Sequence, residues 1–256
     1  MKIGIFNNNE PFYKNKAKKI IKILKNHELD FKICSGFKAD CDIVMVVGGD
    51  GTVFRAIRRY PNTAILPIKR LSHNLDEFAI ERALEKIEKG KYAIEKVMRL
   101  QFEYKDFKAW GINDIVISRD DENANRFRIF SNGKDLYGDE IMGDGVIAAT
   151  PYGSTGYNWT AGGPILRGKG KFVITPVCSA FFNRRFFTID RNVSKRVEES
   201  KIFSDSKKII IKFFRNVRNK IIADGIQENR FYINIKSGDK ILIRKAKENS
   251  KLVKIL

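Results

Sequence analysis

The sequence predicts an α/β amino-terminal domain with a parallel sheet, followed by a β-rich, sandwich-like carboxyl-terminal domain. Two patterns carry this expectation. Up to residue 97 strand-like and helix-like segments alternate, and beyond it apolar residues recur with the period of a strand and no long helix appears. The run Ile43-Val44-Met45-Val46-Val47 adds a third sign, because an uninterrupted apolar stretch rich in β-branched residues belongs to a parallel strand covered on both faces.

The elements follow in order. Residues 2–6 read as a strand and 13–26 as a helix burying Ile20, Ile21, Ile23 and Leu24. A short strand is expected at 31–33, the central one at 42–47, a turn at 48–52 and a helix at 53–60 ended by Pro61. A buried strand at 63–68 and a helix at 76–89 complete the first domain, 1–97. In the second, 98–256, strands are expected at 99–104, 114–118, 126–131, 146–149, 172–175, 208–213, 220–223, 231–235 and 240–244. Asn132-Gly133 is a hairpin turn signal. The extreme carboxyl terminus is expected to pack back on the first domain.

Composition bounds the function classes. At 256 residues with 43% apolar and 31% charged content, the chain has enough apolar side chain for a core and is not of a disordered type. Cys34, Cys41 and Cys178 form an odd set without metal-like spacing. No segment reaches eighteen apolar residues and no secretory leader is read at Met1, so a reduced, cytoplasmic protein off the membrane is expected. A net charge of +19 is compatible with nucleic acid, anionic membranes or polyphosphorylated small molecules. The densest run, 14–25, nevertheless reads as an amphipathic helix with a solvated basic face, and no nucleic-acid partner is expected.

Gly48-Gly49-Asp50-Gly51-Thr52 joins the central strand to the next helix. In open α/β sheets ligands sit at the carboxyl ends of strands, and glycines there let N–H groups approach phosphate beside a positive helix end. Gly48, Gly49, Gly51 and Thr52 are thus candidate phosphate contacts, with Thr52 expected to cap the helix. Asp50 is anomalous in a phosphate cradle unless it aligns a hydroxyl and accepts its proton during phosphoryl transfer. Arg55, one turn on, points the same way. A tight strand-to-helix turn with a surface arginine is the plain alternative. Neither a Walker loop nor a dinucleotide fingerprint fits, since no Gly-Lys follows and Phe54 stands in the last glycine's place.

The second motif runs Gly143-Asp144-Gly145, then Thr150-Pro151-Tyr152-Gly153-Ser154-Thr155-Gly156-Tyr157-Asn158, then Gly162-Gly163-Pro164. A strand flanked by glycines opens into small hydroxyl residues, which suits a base or ribose lying close to backbone, with Tyr157 offering a stacking surface. A glycine-rich sandwich loop with a turn aspartate is the alternative reading.

Together with Asn113-Asp114, Ile174-Thr175-Pro176-Val177-Cys178 and Ala223-Asp224-Gly225, these motifs resemble the NAD kinase family in order and spacing over most of the chain. The resemblance implies an active site in a cleft between an α/β and a β-rich domain. It implies that Asp50 accepts the proton of the 2′-hydroxyl of the adenosine ribose of NAD, with Gly51 and Arg55 lining the substrate. Asn113 and Asp114 would reach ribose hydroxyls, Asp144 the dinucleotide, and Thr155, Gly156, Tyr157, Asn158 and Thr160 a nucleoside, with Ser179 near another contact. It implies NAD and ATP, or another phosphate donor, as substrates. Mg²⁺ would come with ATP rather than in a protein metal site, and the chain would assemble as a homodimer or homotetramer. Two departures stand out: Lys69 to Leu75 lacks the family's glycines and phenylalanine, and Asp114 replaces a customary Glu. A lipid or polyol acceptor for the same chemistry is the second reading, and a non-catalytic nucleotide- or RNA-binding protein the third. The hydroxyl-rich stretch 150–158 favours a nucleoside over an acyl chain, and Asp50 and Asp144 disfavour simple phosphate binding.

Overall fold

The computed structural model describes all residues except 28, 35–39, 69–75, 188–191 and 197–199, with side chains left aside across 182–199. The departure at Lys69, Arg70 and His73 therefore lies outside the described residues. In chain order the elements are β1 (Lys2–Asn7), α1 (Pro11–Asn26), β2 (Asp30–Ile33), β3 (Ile43–Val47), α2 (Asp50–Arg59), β4 (Ala64–Pro67), α3 (Glu77–Glu88) and β5 (Tyr92–Val97). Then come β6 (Leu100–Tyr104), β7 (Phe107–Gly111), β8 (Asp114–Arg119), β9 (Asn125–Ser131), β10 (Lys134–Asp135), β11 (Ile141–Gly143), β12 (Gly145–Ala149) and the single turn α4 (Tyr157–Thr160). The remainder is β13 (Lys171–Val177), β14 (Ala180–Phe187), β15 (Asn192–Arg196), β16 (Lys201–Ser204), β17 (Lys208–Phe213), β18 (Val217–Ala223), β19 (Arg230–Ile235), β20 (Lys240–Lys245) and β21 (Ser250–Ile255). They divide into two units, Met1–Val97 with Asn249–Leu256, and Met98–Glu248.

In the first unit the described strands are ordered β2-β1-β3-β4-β21-β5. β1, β2, β3, β4 and β21 pair in parallel, whereas β5 runs antiparallel to β21. Every residue of β3 is buried, because helices cover both of its faces. Ile43, Met45 and Val47 pack with Ile20, Leu24, Ile80 and Leu84 of α1 and α3. The alternate residues Val44 and Val46 point to the opposite face, where Tyr60, at the end of α2, meets Phe6 edge-on with ring centroids 5.9 Å apart. Neither β5 nor β21 is predicted from the sequence, since Lys and Glu interrupt their apolar alternation.

The second unit is a sandwich of antiparallel sheets. One has the described order β15-β14-β11-β9-β17-β20-β6-β7, with β10 paired to β9, and the other β16-β13-β12-β8-β18-β19. Alternation places Phe102, Phe127, Ile129, Ile211 and Phe213 of the first sheet against Ile115, Ile117, Val146, Ile174 and Ile221 of the second in one core. Fully burying each such side chain contributes roughly 1.5–3 kcal/mol. The β9–β10 hairpin turns at Asn132 and Gly133, both at positive φ (51° and 78°), as a two-residue primed turn requires. The second sheet is apolar on its other face as well. There Val116, Ile147, Ala149 and Val173 pack with Leu166 from the long loop after β12. That loop and this outer face carry the candidate site.

Candidate functional site

In the first unit, α2 begins at Asp50, three residues earlier than the sequence pattern places it. Gly49 is its N-cap, which corrects the capping role expected of Thr52. Thr52 is the third residue of the helix, 4% exposed, with its N–H on the Gly49 carbonyl at 2.9 Å. Its side chain fills the place of a Gly48 side chain, since a Cβ there would fall 2.4 Å from the Thr52 hydroxyl oxygen. A Cβ at Gly49 or Gly51 would meet no atom within 4 Å, so the turn is open at those two positions. Asp50, Gly51 and Arg55 are exposed. The first N–H groups of an α-helix lack acceptors within it, and the macrodipole is positive there, so this strand tip suits an anion.

The second unit holds a cavity of about 760 Å³ on the outer face of the six-stranded sheet. Outward-facing Val116 and Ser118 of β8 and Lys220 and Ile222 of β18 form its floor. Around them stand Asn113, Asp114, Arg119, Asp144, Tyr157, Cys178 and Asp224, with Asp121 and Glu122 completing an acidic edge. Even with Asp114 set aside, Asp121, Glu122, Asp144 and Asp224 outnumber Arg119 and Lys220, so the charged part of the lining is acidic although the chain carries +19 overall. A triphosphate is repelled from such a wall, while hydroxyls and amines of a nucleoside find acceptors.

Asn113 is the junction. The loop after β12 closes on it: the Thr150 N–H donates to the Asn113 carbonyl at 3.0 Å, and the Thr150 hydroxyl donates to the Ile112 carbonyl at 2.5 Å. Gly153 presses so close that a Cβ would fall 2.0 Å from the Asn113 carbonyl oxygen. From the other side Asp224 accepts the Ile112 N–H at 3.1 Å and the Asn113 N–H at 2.7 Å. Gly111 makes room for it, since a Cβ there would fall 2.6 Å from Asp224 Oδ1. The Asn113 side chain donates to Asp114 Oδ2 at 3.0 Å. Asp114 is 3% exposed, and burial together with the nearby Asp224 charge pushes its carboxyl up to about 7, against the bond from Asn113.

Asp144 bridges β11 and β12. Arg119 Nε donates to its carboxylate at 2.7 Å, while its carbonyl takes the Arg119 N–H at 2.9 Å and Asn125 Nδ2 at 3.1 Å. Asn125 and Asn219, both fully buried, exchange side-chain amide bonds at 2.9 and 2.8 Å and so tie the two sheets beneath it. Cys178 and Asp224 hold positive φ (46° and 59°), uncommon for non-glycine residues, at the corners ending β13 and β18. Tyr157 is half-exposed at the first residue of α4, and burial raises its hydroxyl, with Cys178, Asp144 and Asp114 adding to the effect.

Several expected contacts have other employment. Asn158 is fully buried, donating to the carbonyls of Ser154 and Pro164 at 3.1 and 3.0 Å and accepting from Thr175 at 2.7 Å. It holds the loop closed and offers no surface to a nucleoside, which corrects the contact expected of it. The Ser179 hydroxyl, 7% exposed, donates to the Val177 carbonyl at 2.8 Å. Thr160 donates to the Tyr157 carbonyl at 3.0 Å at an exposed position, and Thr155 is exposed and Gly156 half-buried in the same loop. Arg119 and Lys220 are cavity residues that local pattern does not mark. The one sequence signal is at Lys220, an outward position of a strand whose inward neighbours are apolar, while Arg119 ends β8 in the register of the inward Ile115 and Ile117. Among the described residues no group of three or more His, Cys, Asp or Glu side chains is arranged to hold a metal ion, and no helix is long and apolar enough to cross a membrane.

The model of the ATP-NAD kinase C-terminal domain family matches residues 113–255. The NAD kinase of Lachnoclostridium phytofermentans is 32% identical over 241 residues, spanning 86% of this chain and 78% of that protein. The NAD kinase of Caldicellulosiruptor saccharolyticus is 29% identical over 266 residues, 97% and 96% of the respective chains. In three dimensions the chain is similar to yeast NADH kinase complexed with NADH, with a TM-score of 0.76 at 19% identity over 99% of this chain and 83% of that one. It is also similar to an NAD kinase from Archaeoglobus fulgidus in complex with ATP, with a TM-score of 0.69 at 20% identity over 100% and 94%. At those identities the structural likeness is one of fold.

Proposed function

The chain belongs to the NAD kinase family, and from that premise we propose that it transfers the γ-phosphoryl of ATP, or the terminal phosphoryl of another donor, to the 2′-hydroxyl of the adenosine ribose of NAD. In this reading the ribose oxygen forms the new bond to the γ-phosphorus as the bond to the β-bridging oxygen breaks. ADP leaves, and the hydroxyl proton passes to Asp50. A carboxylate is a weak base for an alcohol, so its worth lies in aligning the hydroxyl and receiving the proton late in a loose transition state.

The observation that carries the reading is the Asn113 junction, where a hydroxyl- and glycine-rich loop, a buried Asp pair and a half-exposed tyrosine border one acid-lined cavity. Such a lining suits the sugar and base of a dinucleotide. The hydroxyl- and glycine-rich loop favours a nucleoside over an acyl chain, and the carboxylates argue against placing the donor's triphosphate in this cavity. The donor would arrive as its divalent-cation complex, in which the metal neutralises phosphate charge. Gly49, Asp50 and Gly51 at the open strand tip, with Arg55, are the groups we assign to the reacting phosphoryl.

The test is incubation of the purified chain with NAD, ATP and Mg²⁺, followed by chromatographic detection of NADP. Absence of NADP with ATP, other triphosphates and polyphosphate alike would overturn the assignment.

A further inference from the structure

Asp114 and Asp224 lie 110 positions apart in the chain and meet at one residue. Asn113 donates its backbone N–H to Asp224 Oδ1 at 2.7 Å and its side-chain amide to Asp114 Oδ2 at 3.0 Å. The Ile112 N–H adds a bond to Asp224 Oδ2 at 3.1 Å, and the Asp224 N–H returns to the Asp114 carbonyl at 3.0 Å. Asp224 thus has two backbone donors aimed at its charge. Asp114, 3% exposed, has a single neutral amide and pairs with no cation among the described residues. Two carboxylates in one desolvated mouth do not both ionise readily, and the proton settles on the one with fewer donors.

We propose that Asp114 meets the nucleotide as a neutral carboxylic acid, donating its hydrogen to an acceptor atom of the ligand, while Asp224 remains ionised and holds the Ile112–Asn113 backbone in place. The position of the Asp114 carboxyl, pushed up to about 7 by burial and by Asp224, agrees with this. Other titratable or charged groups around the same cavity are Tyr157 on α4, Asp144 at the β11–β12 corner, Cys178 after β13, and Arg119 and Lys220 on β8 and β18, with Asp121 and Glu122 at the acidic edge. Arg119 is already committed to Asp144 at 2.7 Å, so it does not neutralise Asp114. The consequence for recognition is specific. An ionised side chain here accepts a hydrogen from a ribose hydroxyl, whereas the neutral acid offers one to a ring nitrogen, a carbonyl or a hydroxyl lone pair.

This inference rests on the proposed binding of NAD, and two readouts separate its failure from failure of that reading. The first is calorimetric titration of the full chain with NAD, without a phosphate donor, from pH 6.0 to 8.5. The wild-type Kd is expected to rise about tenfold or more across this window, since only the protonated form binds well. Asp114→Asn, a permanent neutral donor, is expected to stay within about twofold over the same range and to bind more tightly than wild type at pH 8.5. A wild-type affinity that is flat or improves with pH overturns the inference, and so does loss of binding by Asp114→Asn at every pH. The wild-type profile decides even if that variant fails to fold. The second readout needs no ligand. A carboxyl raised above its unfolded value stabilises fully below the ordinary range near 4, and this is lost as pH rises through about 7. The Tm of wild type relative to Asp114→Asn should therefore fall between pH 4 and 7, and a constant difference overturns the proposal. If wild type binds no NAD at any pH while this Tm trend appears, the carboxyl pair stands and the substrate assignment fails.

Discussion

Asp50 opens α2 with an exposed carboxylate, and two physical roles are available to it there. One is structural, because an acid in the first turn complements the helix dipole for about 0.3–1 kcal/mol. The other is proton acceptance in phosphoryl transfer, which contributes on the order of 10²–10⁴ in rate. The magnitudes separate them. Asp50→Asn is expected to lower kcat by about two orders of magnitude or more, with an NAD Kd within about threefold of wild type and a small change in Tm. Steady-state kinetics beside calorimetric titration check this. Near-normal turnover in the variant would leave Asp50 with the helix alone. The same scale shows how far single residues mislead. Asn158 sits in a stretch of plausible nucleoside contacts, yet its amide is consumed by three hydrogen bonds inside the loop.

At the scale of elements, the loop from Thr150 to Pro164 is shaped by what its glycines avoid. Gly163 lies where a Cβ would be 2.1 Å from Asn158 Oδ1, and Gly153 where it would be 2.0 Å from the Asn113 carbonyl oxygen. The Gly153 neighbour is backbone in a buried junction, which cannot swing aside as a flexible side chain can. Gly153→Ala is therefore expected to push the loop off Asn113, costing about 1–3 kcal/mol of stability. Its KM for NAD should rise more than its kcat falls. Thermal melts and kinetics on one preparation test this, and an unchanged Tm would mean that the junction is looser than described. Gly156→Ala is the comparison, because the Cβ there meets only the Asn113 side-chain amide and the Gly153 carbonyl oxygen at 3.3 Å.

For the whole molecule, the chain's last strand belongs to its first unit. β21 lies between β4 and β5, parallel to one and antiparallel to the other, and Val253 is buried in the core under α1 and α3. Truncation after Glu248 removes an interior strand, strips β5 of its described neighbour and opens that core. The second unit keeps its own sandwich core, built without this segment. Truncation is expected to abolish the thermal transition of residues 1–97 while leaving that of 98–248, as seen by calorimetry and limited proteolysis. Equal loss of both transitions would mean that the second unit does not stand alone.

The α/β start and β-rich continuation were legible because periodicity and turn chemistry are local. β3 reads as buried on both faces from its own five residues, and Asn132-Gly133 marks its hairpin unaided. The same locality made Asp144 and Tyr157 visible as candidates in a glycine-rich motif, whereas Asn113 and Asp114 stood out only through the resemblance to the NAD kinase family. The carboxyl terminus is expected against the first domain, but tertiary structure alone decided that it enters that sheet as an interior strand, that Asn158 turns inward, that Arg119 takes Asp144, and that Asp224 comes to share Asn113 with Asp114. Each of these depends on groups brought together from distant parts of the chain. A side chain's burial and its charge partner belong to the assembled neighbourhood, which no local pattern contains.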